Sequence, residues 1–236
     1  MAKFIVIDGL DGCGKATQVK KLAEELKSMG KKVYTLDFPC YDSDSSAAVK
    51  MYLQGKINSD ASKLNPYMCA SFYAVDRFIN FEQEYNKYFS EDDNTIILAD
   101  RYLSANIIHQ GGKLSSRKER YEFIRWCYDY ECRLVGLPVE DITIVLTVPP
   151  EISQGLLEKR YNGDSSKKDI HESNVGYLND CYNRVLETID YMQYVSVGDK
   201  KVNWKHIDCT DETGKGIKNS DVIANEIMKL IEGIIS

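Results

Sequence analysis

Three stretches follow one another at the start of the chain: the unbroken apolar run Phe4-Ile5-Val6-Ile7, the loop Gly9-Leu10-Asp11-Gly12-Cys13-Gly14-Lys15, and Val19, Leu22, Ala23 and Leu26 at helical spacing. Nothing else in the sequence restricts the fold as much. An apolar run without polar alternation suits a strand buried on both faces. A G-x-x-x-x-G-K loop between such a strand and a helix is shaped to hold phosphate. Its glycines let the backbone wrap closely, so that successive N–H groups point inward, and the helix start adds about half a positive charge. Lys15 brings a full cation to the β- and γ-phosphates of a nucleotide. Gly9, Gly12, Cys13, Gly14, Lys15, Ala16 and Thr17 are therefore the expected phosphate contacts. The residue after the lysine usually carries a hydroxyl that ligates Mg2+, but here it is Ala16, with Thr17 following. Mg2+ keeps several waters and leans on carboxylates and substrate phosphates, so it can be held without that hydroxyl.

The strand-then-helix pattern repeats. Val33-Tyr34-Thr35-Leu36, Thr95-Ile96-Ile97-Leu98-Ala99, the run from Ile142 to Val148, and the weaker Trp204-Lys205-His206-Ile207 read as strands. Helical stretches separate them, a long aromatic-rich one from about Pro66 to Phe89 and a last one near Ser220 to Ile235 with Val222, Ile223, Ile227, Leu230, Ile231 and Ile234 on one side. This alternation predicts a doubly wound α/β fold, a five-stranded parallel sheet flanked by helices. Asn162-Gly163-Asp164-Ser165-Ser166-Lys167-Lys168-Asp169 has no apolar face and reads as a mobile surface loop. No repeat or long linker divides the chain, so residues 1–236 are expected to form one domain.

A net charge of −6 argues against broad contact with a nucleic-acid backbone, which needs a cationic surface. No run of 18 or more apolar residues is present, and Met1-Ala2-Lys3 leads straight into the first strand without a secretory core. The seven cysteines are scattered with no CxxC pair, which suits packed, reduced thiols. A cytoplasmic protein with small-molecule partners, and neither nucleic acid nor membrane, is the expectation.

Four further motifs stand in order along the chain: Phe38-Pro39, Tyr73-Ala74-Val75-Asp76-Arg77, Asp100-Arg101-Tyr102, and the looser Gln110-Gly111-Gly112 after Asn106. Asp100-Arg101-Tyr102 ends a predicted strand, where an open α/β sheet collects its ligands. There a carboxylate can hold Mg2+ or its waters, and an arginine can grip a phosphate with two parallel hydrogen bonds. Tyr73 and Arg77 share one face of a predicted helix and can address one ligand together.

With these motifs and the Asp11-Gly12-Cys13-Gly14-Lys15 loop, the sequence resembles the thymidylate kinase family along nearly its whole length. The resemblance implies a P-loop NTPase fold with a mobile lid at about 158–172, and transfer of the γ-phosphate of ATP to dTMP, giving dTDP and ADP for dTTP synthesis. It implies Asp11, Lys15, Asp100, Arg101 and Arg160 as catalytic residues, with Asp100 at the metal and Arg160 also contacting ATP. Asp11, Phe38, Pro39, Tyr41, Tyr73, Arg77, Arg101 and Asn106 become the dTMP contacts. By the same likeness an aromatic at Tyr73 stacks on the base, Arg77 meets its carbonyl edge, Asn106 faces N3, and Tyr41 packs near the sugar. The family carries its catalytic arginine either in the glycine loop or in the lid. Gly12 occupies the loop position, so the lid must supply the cation, with Lys167 and Lys168 beside Arg160. Cys40 departs from the arginine often found after Phe-Pro. Family members pair as homodimers, to which the aromatic-rich helix can contribute.

Other readings remain open at this point. A P-loop kinase acting on another nucleotide or on a deoxynucleoside would carry the same loop. Ala16 and Cys40 also fit an ATP-binding protein that has lost catalysis. A GTPase is disfavoured, because the one Asn-Lys pair, Asn86-Lys87, is followed by Tyr88 and Phe89 rather than by a guanine-reading aspartate.

Overall fold

Strand β1 (Lys3–Gly9) lies at the centre of a sheet whose order is β2 (Lys32–Asp37), β3 (Thr95–Asp100), β1, β4 (Ile142–Thr147) and β5 (Trp204–Asp208). All four pairings are parallel, with Ile7 in register with Asp100 on one side and Ile144 on the other. The computed structural model describes residues 1–160 and 175–236, with side chains at all of these except 159, 160 and 175. All five expected strands are present; the three central ones, β3, β1 and β4, are buried almost throughout, which explains why they read as apolar runs, whereas the edge strands β2 and β5 are mostly exposed or half-buried.

Successive side chains of β1 go to opposite faces. Ile5 and Ile7 pack with Val19, Leu22 and Leu26 of helix α1 (Lys15–Ser28). Phe4 and Val6 face a second layer, where helix α2 (Ala47–Leu53) and helix α3 (Pro66–Asn80) precede β3, and helix α4 (Arg117–Tyr128) follows it with Phe123 and Ile124. Helix α5 (Pro150–Arg160) comes next, then helix α6 (Val175–Met192), which adds Tyr177, Leu178 and Val185 to that second layer. Helix α7 (Ser220–Ile235) returns to the first layer through Ile223, Ile227 and Ile231.

The aromatic-rich helix begins at Pro66, as expected, and stays helical to Phe89, with a wider turn over Phe81–Tyr85. After β3 the chain runs through a short helical turn at Leu103–Ala105 and a wider one at Asn106–Gln110, which holds Asn106, His109 and Gln110 inward and buried. All seven cysteines are free thiols, and six are buried. Among the described residues no helix is long and apolar enough to cross a membrane.

The carboxyl ends of β1, β3 and β4 meet where the order of connections reverses, with β3 and β4 on either side of β1. Such a switch point leaves a crevice at the top of the sheet.

Candidate functional site

The glycine loop sits in that crevice with no room for a side chain at Gly9 or Gly12. A Cβ on Gly9 would collide with the Leu146 carbonyl of β4. At Gly12 a Cβ would come within 2.8 Å of the Ser153 carbonyl of α5, and the backbone φ of +81° also disfavours a side chain. Position 12 is thus closed to an arginine on packing grounds alone.

Helix α1 opens from Gly14 with no side-chain cap. The starts of α3, α4 and α7 are instead capped by the side chains of Asn65, Ser116 and Asn219. The first N–H groups of α1 are left for an anion to satisfy. Ala16 and Thr17 are exposed on that turn. Lys15, 7% exposed, folds over the loop, donating to the carbonyls of Gly9 (3.0 Å) and Leu10 (2.8 Å) and standing 3.8 Å from the Asp11 carboxylate. Its hydrogen bonds go to neutral groups, these two carbonyls and the Cys13 sulfur at 4.0 Å.

Arg101 follows β3 with φ +66°, its N–H bonded to the Ile7 carbonyl, and its guanidinium pairs with the Asp11 carboxylate. Burial works to raise the Asp11 pKa, but Arg101 and Lys15 outweigh it and hold the carboxyl far below its ordinary range. At Asp8 the balance is opposite: burial wins over Arg101 and Lys15 and raises its pKa, while the carboxylate accepts from Ser104 and from the Gly9 N–H. Asp100, half-buried at the end of β3, accepts the Phe38 N–H at its backbone carbonyl (3.1 Å), while its carboxylate takes no hydrogen bond or ion pair among the described residues. No cluster of three metal-ligating side chains occurs among them. Asp100, with the exposed Asp37 beside it on β2, fits Mg2+, which keeps waters and is completed by substrate phosphates, and does not fit a metal needing a full protein cage.

A cleft opens beside Asp11. All eight residues expected to contact the acceptor line it: Asp11, Phe38, Pro39, Tyr41, Tyr73, Arg77, Arg101 and Asn106. Lys15 does not line it but borders it through Asp11. The wall after β2 is fastened by Asp76, a fully buried carboxylate accepting from the Cys40 N–H (2.9 Å), Ser45 Oγ (2.5 Å) and Asn80 Nδ2 (3.2 Å). Cys40 donates to the Asp37 carbonyl at 3.3 Å, and burial pushes its pKa up to about 11, so it stays a neutral thiol.

Arg77 is buried and already engaged. Its Nε and Nη2 donate to Glu131 at 2.7 Å each, and Nη1 to the Tyr102 carbonyl at 3.3 Å. Of five N–H groups two remain for the cleft. Asn106 gives its Nδ2 to Ala70 O (3.1 Å) and Glu131 Oε1 (3.0 Å). Glu131, Tyr102, His109 and Gln110 have no role in the sequence reading. Gln110 accepts from Tyr52 Oη at 3.3 Å, which in turn accepts from Lys113 at 3.0 Å. The half-polar run Ser104 to Gln110 is a sequence signal that points to His109 and Gln110, and Tyr102 stands inside the Asp100-Arg101-Tyr102 motif, whereas nothing local points to Glu131. Arg160 ends α5, but its side chain lies outside the described residues, as do Lys167, Lys168 and most of the expected lid.

A family model for thymidylate kinase matches residues 7–203. Thymidylate kinase of Mycobacterium tuberculosis is 29% identical over 151 residues, spanning 64% of this chain and 68% of that protein. Thymidylate kinase of Caldanaerobacter subterraneus subsp. tengcongensis is 27% identical over 222 residues, 92% of this chain and 98% of its own. A solved thymidylate kinase structure from Candida albicans superposes with a TM-score of 0.66 at 19% identity, covering 100% of this chain and 94% of that one, a likeness of fold.

Proposed function

Because the chain belongs to the thymidylate kinase family and phosphorylates dTMP to dTDP with ATP as donor, we propose that dTMP occupies the cleft beside Asp11 and ATP the glycine loop. One observation carries this placement: eight residues picked from five separated stretches of sequence line a single cleft that borders the phosphate loop.

Phosphoryl transfer asks little covalent chemistry of a protein; it must hold two polyanions in line and balance the charge that spreads over the moving group. The uncapped turn of α1 and the loop amides bind the donor phosphates. Lys15 exchanges its two carbonyl partners for β- and γ-oxygens. Arg101 rests on Asp11 and lies between loop and cleft, where it reaches the acceptor phosphate. Tyr73 offers a ring to the base, Arg77 and Asn106 its hydrogen-bonding edge, and Tyr41 packs by the sugar. Asp100 would hold Mg2+, whose charge, when bound, offsets that of the bridging phosphate oxygens. Arg160 arrives from the lid at about 158–172 to complete the charge balance and exclude water.

The reading extends to one domain over 1–236 in the cytoplasm, supported by seven free thiols. It also extends to a homodimer joined through the outward face of α3, where Met68, Val75 and Phe78 are 59, 47 and 38% exposed.

A coupled assay of ATP with dTMP, dUMP, dGMP and thymidine tests the assignment. Preferred turnover of dTMP, and its loss in Arg101→Ala with the KM for ATP within about threefold, is expected. Unchanged dTMP kinetics in that variant would remove Arg101 from the acceptor site.

A further inference from the structure

Glu131 lies outside the cleft, yet both side chains placed at the edge of the base end on it. Its carboxylate is 1% exposed. Oε2 accepts Arg77 Nε at 2.7 Å, while Oε1 accepts both Arg77 Nη2 at 2.7 Å and Asn106 Nδ2 at 3.0 Å. The other Nδ2 hydrogen of Asn106 goes to the Ala70 carbonyl. A carboxylate clamped by a guanidinium has only lone pairs to offer, and so has a backbone carbonyl. Asn106 must therefore turn its NH2 away from the cleft. Its Oδ1, which accepts no hydrogen bond among the described residues, is the atom left for a ligand. Beside it Arg77 keeps one N–H on each terminal nitrogen.

The cleft thus shows an acceptor next to a cationic donor. The complementary edge has an N–H next to a carbonyl, as in the imide of a 4-oxo pyrimidine. A 4-amino pyrimidine has the same outline with both polarities reversed: its N3 lone pair would face Oδ1, and its NH2 the guanidinium.

We infer that Glu131 is a positioning residue that fixes the hydrogen-bond polarity of Asn106 and Arg77, and through them makes the site accept 4-oxo and reject 4-amino pyrimidine nucleotides. This rests on dTMP occupying the cleft. It assigns discrimination to a side chain that touches no substrate, 54 residues from Arg77 and 25 from Asn106 along the chain.

The test compares kcat and KM for dTMP and for 5-methyl-dCMP, which differ at the 4-oxo or 4-amino group and the N3 proton, in the full-length wild type, Glu131→Gln and Glu131→Asp. A glutamine brings an N–H2 of its own and lets the Asn106 amide turn over. The dTMP to 5-methyl-dCMP ratio of kcat/KM is expected to fall at least about tenfold in Glu131→Gln, mainly through the KM for dTMP, with the KM for ATP unchanged. Glu131→Asp still only accepts and is expected to keep the ratio within about threefold while losing some affinity for both. An unchanged ratio in Glu131→Gln, with both substrates weakened alike, would show a merely structural carboxylate and overturn the inference. If Glu131→Gln does not fold, exchange of the Asn106 side-chain amide in the wild type decides: slow exchange with and without dTMP supports the inference, and exchange as fast as a surface amide overturns it. Failure of the wild type to turn over dTMP would instead sink the placement of dTMP in the cleft.

Discussion

The two halves of the crevice hold their principal cations in opposite ways. At the glycine loop, Lys15 rests on two neutral carbonyls, and the first turn of α1 has no cap. Across Asp11, Arg77 is clamped by a buried carboxylate and cannot leave it cheaply. The loop is a site whose partners are to be supplied by a ligand; the cleft wall is already paired and presents only its spare donors. The difference fits the two tasks proposed for these halves. A polyphosphate is recognised by charge, which tolerates movement. A base is recognised by the order of donors and acceptors along one edge, and that requires side chains that do not move.

Removing one member of the clamp is the hardest test of this contrast. Arg77→Met leaves the Glu131 carboxylate buried without its partner, and should lower folding stability by about 3–5 kcal/mol in urea denaturation. Lys15→Ala removes a cation 3.8 Å from Asp11 but leaves that carboxylate its closer partner, Arg101. It should cost about 10²–10³ in kcat, with a far smaller loss of stability. Comparable stability losses in the two variants would erase the distinction between a clamped and a resting cation.

Sequence reading reached one half of this picture more fully than the other. The loop was legible because its parts are neighbours: apolar strand, glycines, lysine and helix fall within one stretch, so spacing alone carries the chemistry. The three central strands were legible because burial on both faces leaves unbroken apolar runs, and the two edge strands through their place in the strand-then-helix alternation. The lining of the cleft could be chosen residue by residue only through likeness to the family. Glu131 escaped because its partners lie 54 and 25 residues away and its neighbours, Asp129 and Arg133, make an ordinary exposed pair. Asp76 stood inside a quoted motif, but its role, tying the Cys40 to Ser45 stretch to α3, depends on a tertiary contact that no local pattern records. Arg160 and the lid cations lie beyond the described residues.

His109 sits where the two halves meet, and gives the contrast a pH dependence. Burial chiefly, opposed by Asp11 and aided by Arg101, Lys15 and Lys113, lowers its pKa from 6.5 to about 4. Between those values the unfolded chain binds a proton that the folded chain refuses, so stability falls as pH drops. The loss attributable to His109 should reach about 3 kcal/mol at pH 4 relative to pH 7. Urea denaturation of the wild type and His109→Phe at both values checks it, because other titrating groups are common to the two. Equal losses would mean that the ring can be protonated in place, and that the positive charges around it are weaker than the geometry implies.

The smallest effect sharpens the comparison at the level of helix starts. Asn65 caps α3 by accepting from the N–H groups of Tyr67 and Met68, whereas Gly14 leaves α1 open. Asn65→Ala should therefore cost about 1 kcal/mol in denaturant midpoint, a permanent loss that no nucleotide restores. The open end of α1 has no cap to lose, and is stabilised only when phosphate arrives. At 100 times its Kd, ATP should add about 2.7 kcal/mol to wild type and Asn65→Ala alike, since the two ends belong to different ligands. A smaller increment in the variant would mean that the start of α3, which carries Tyr73 and Arg77, is coupled to the donor loop, and that the two halves do not bind independently.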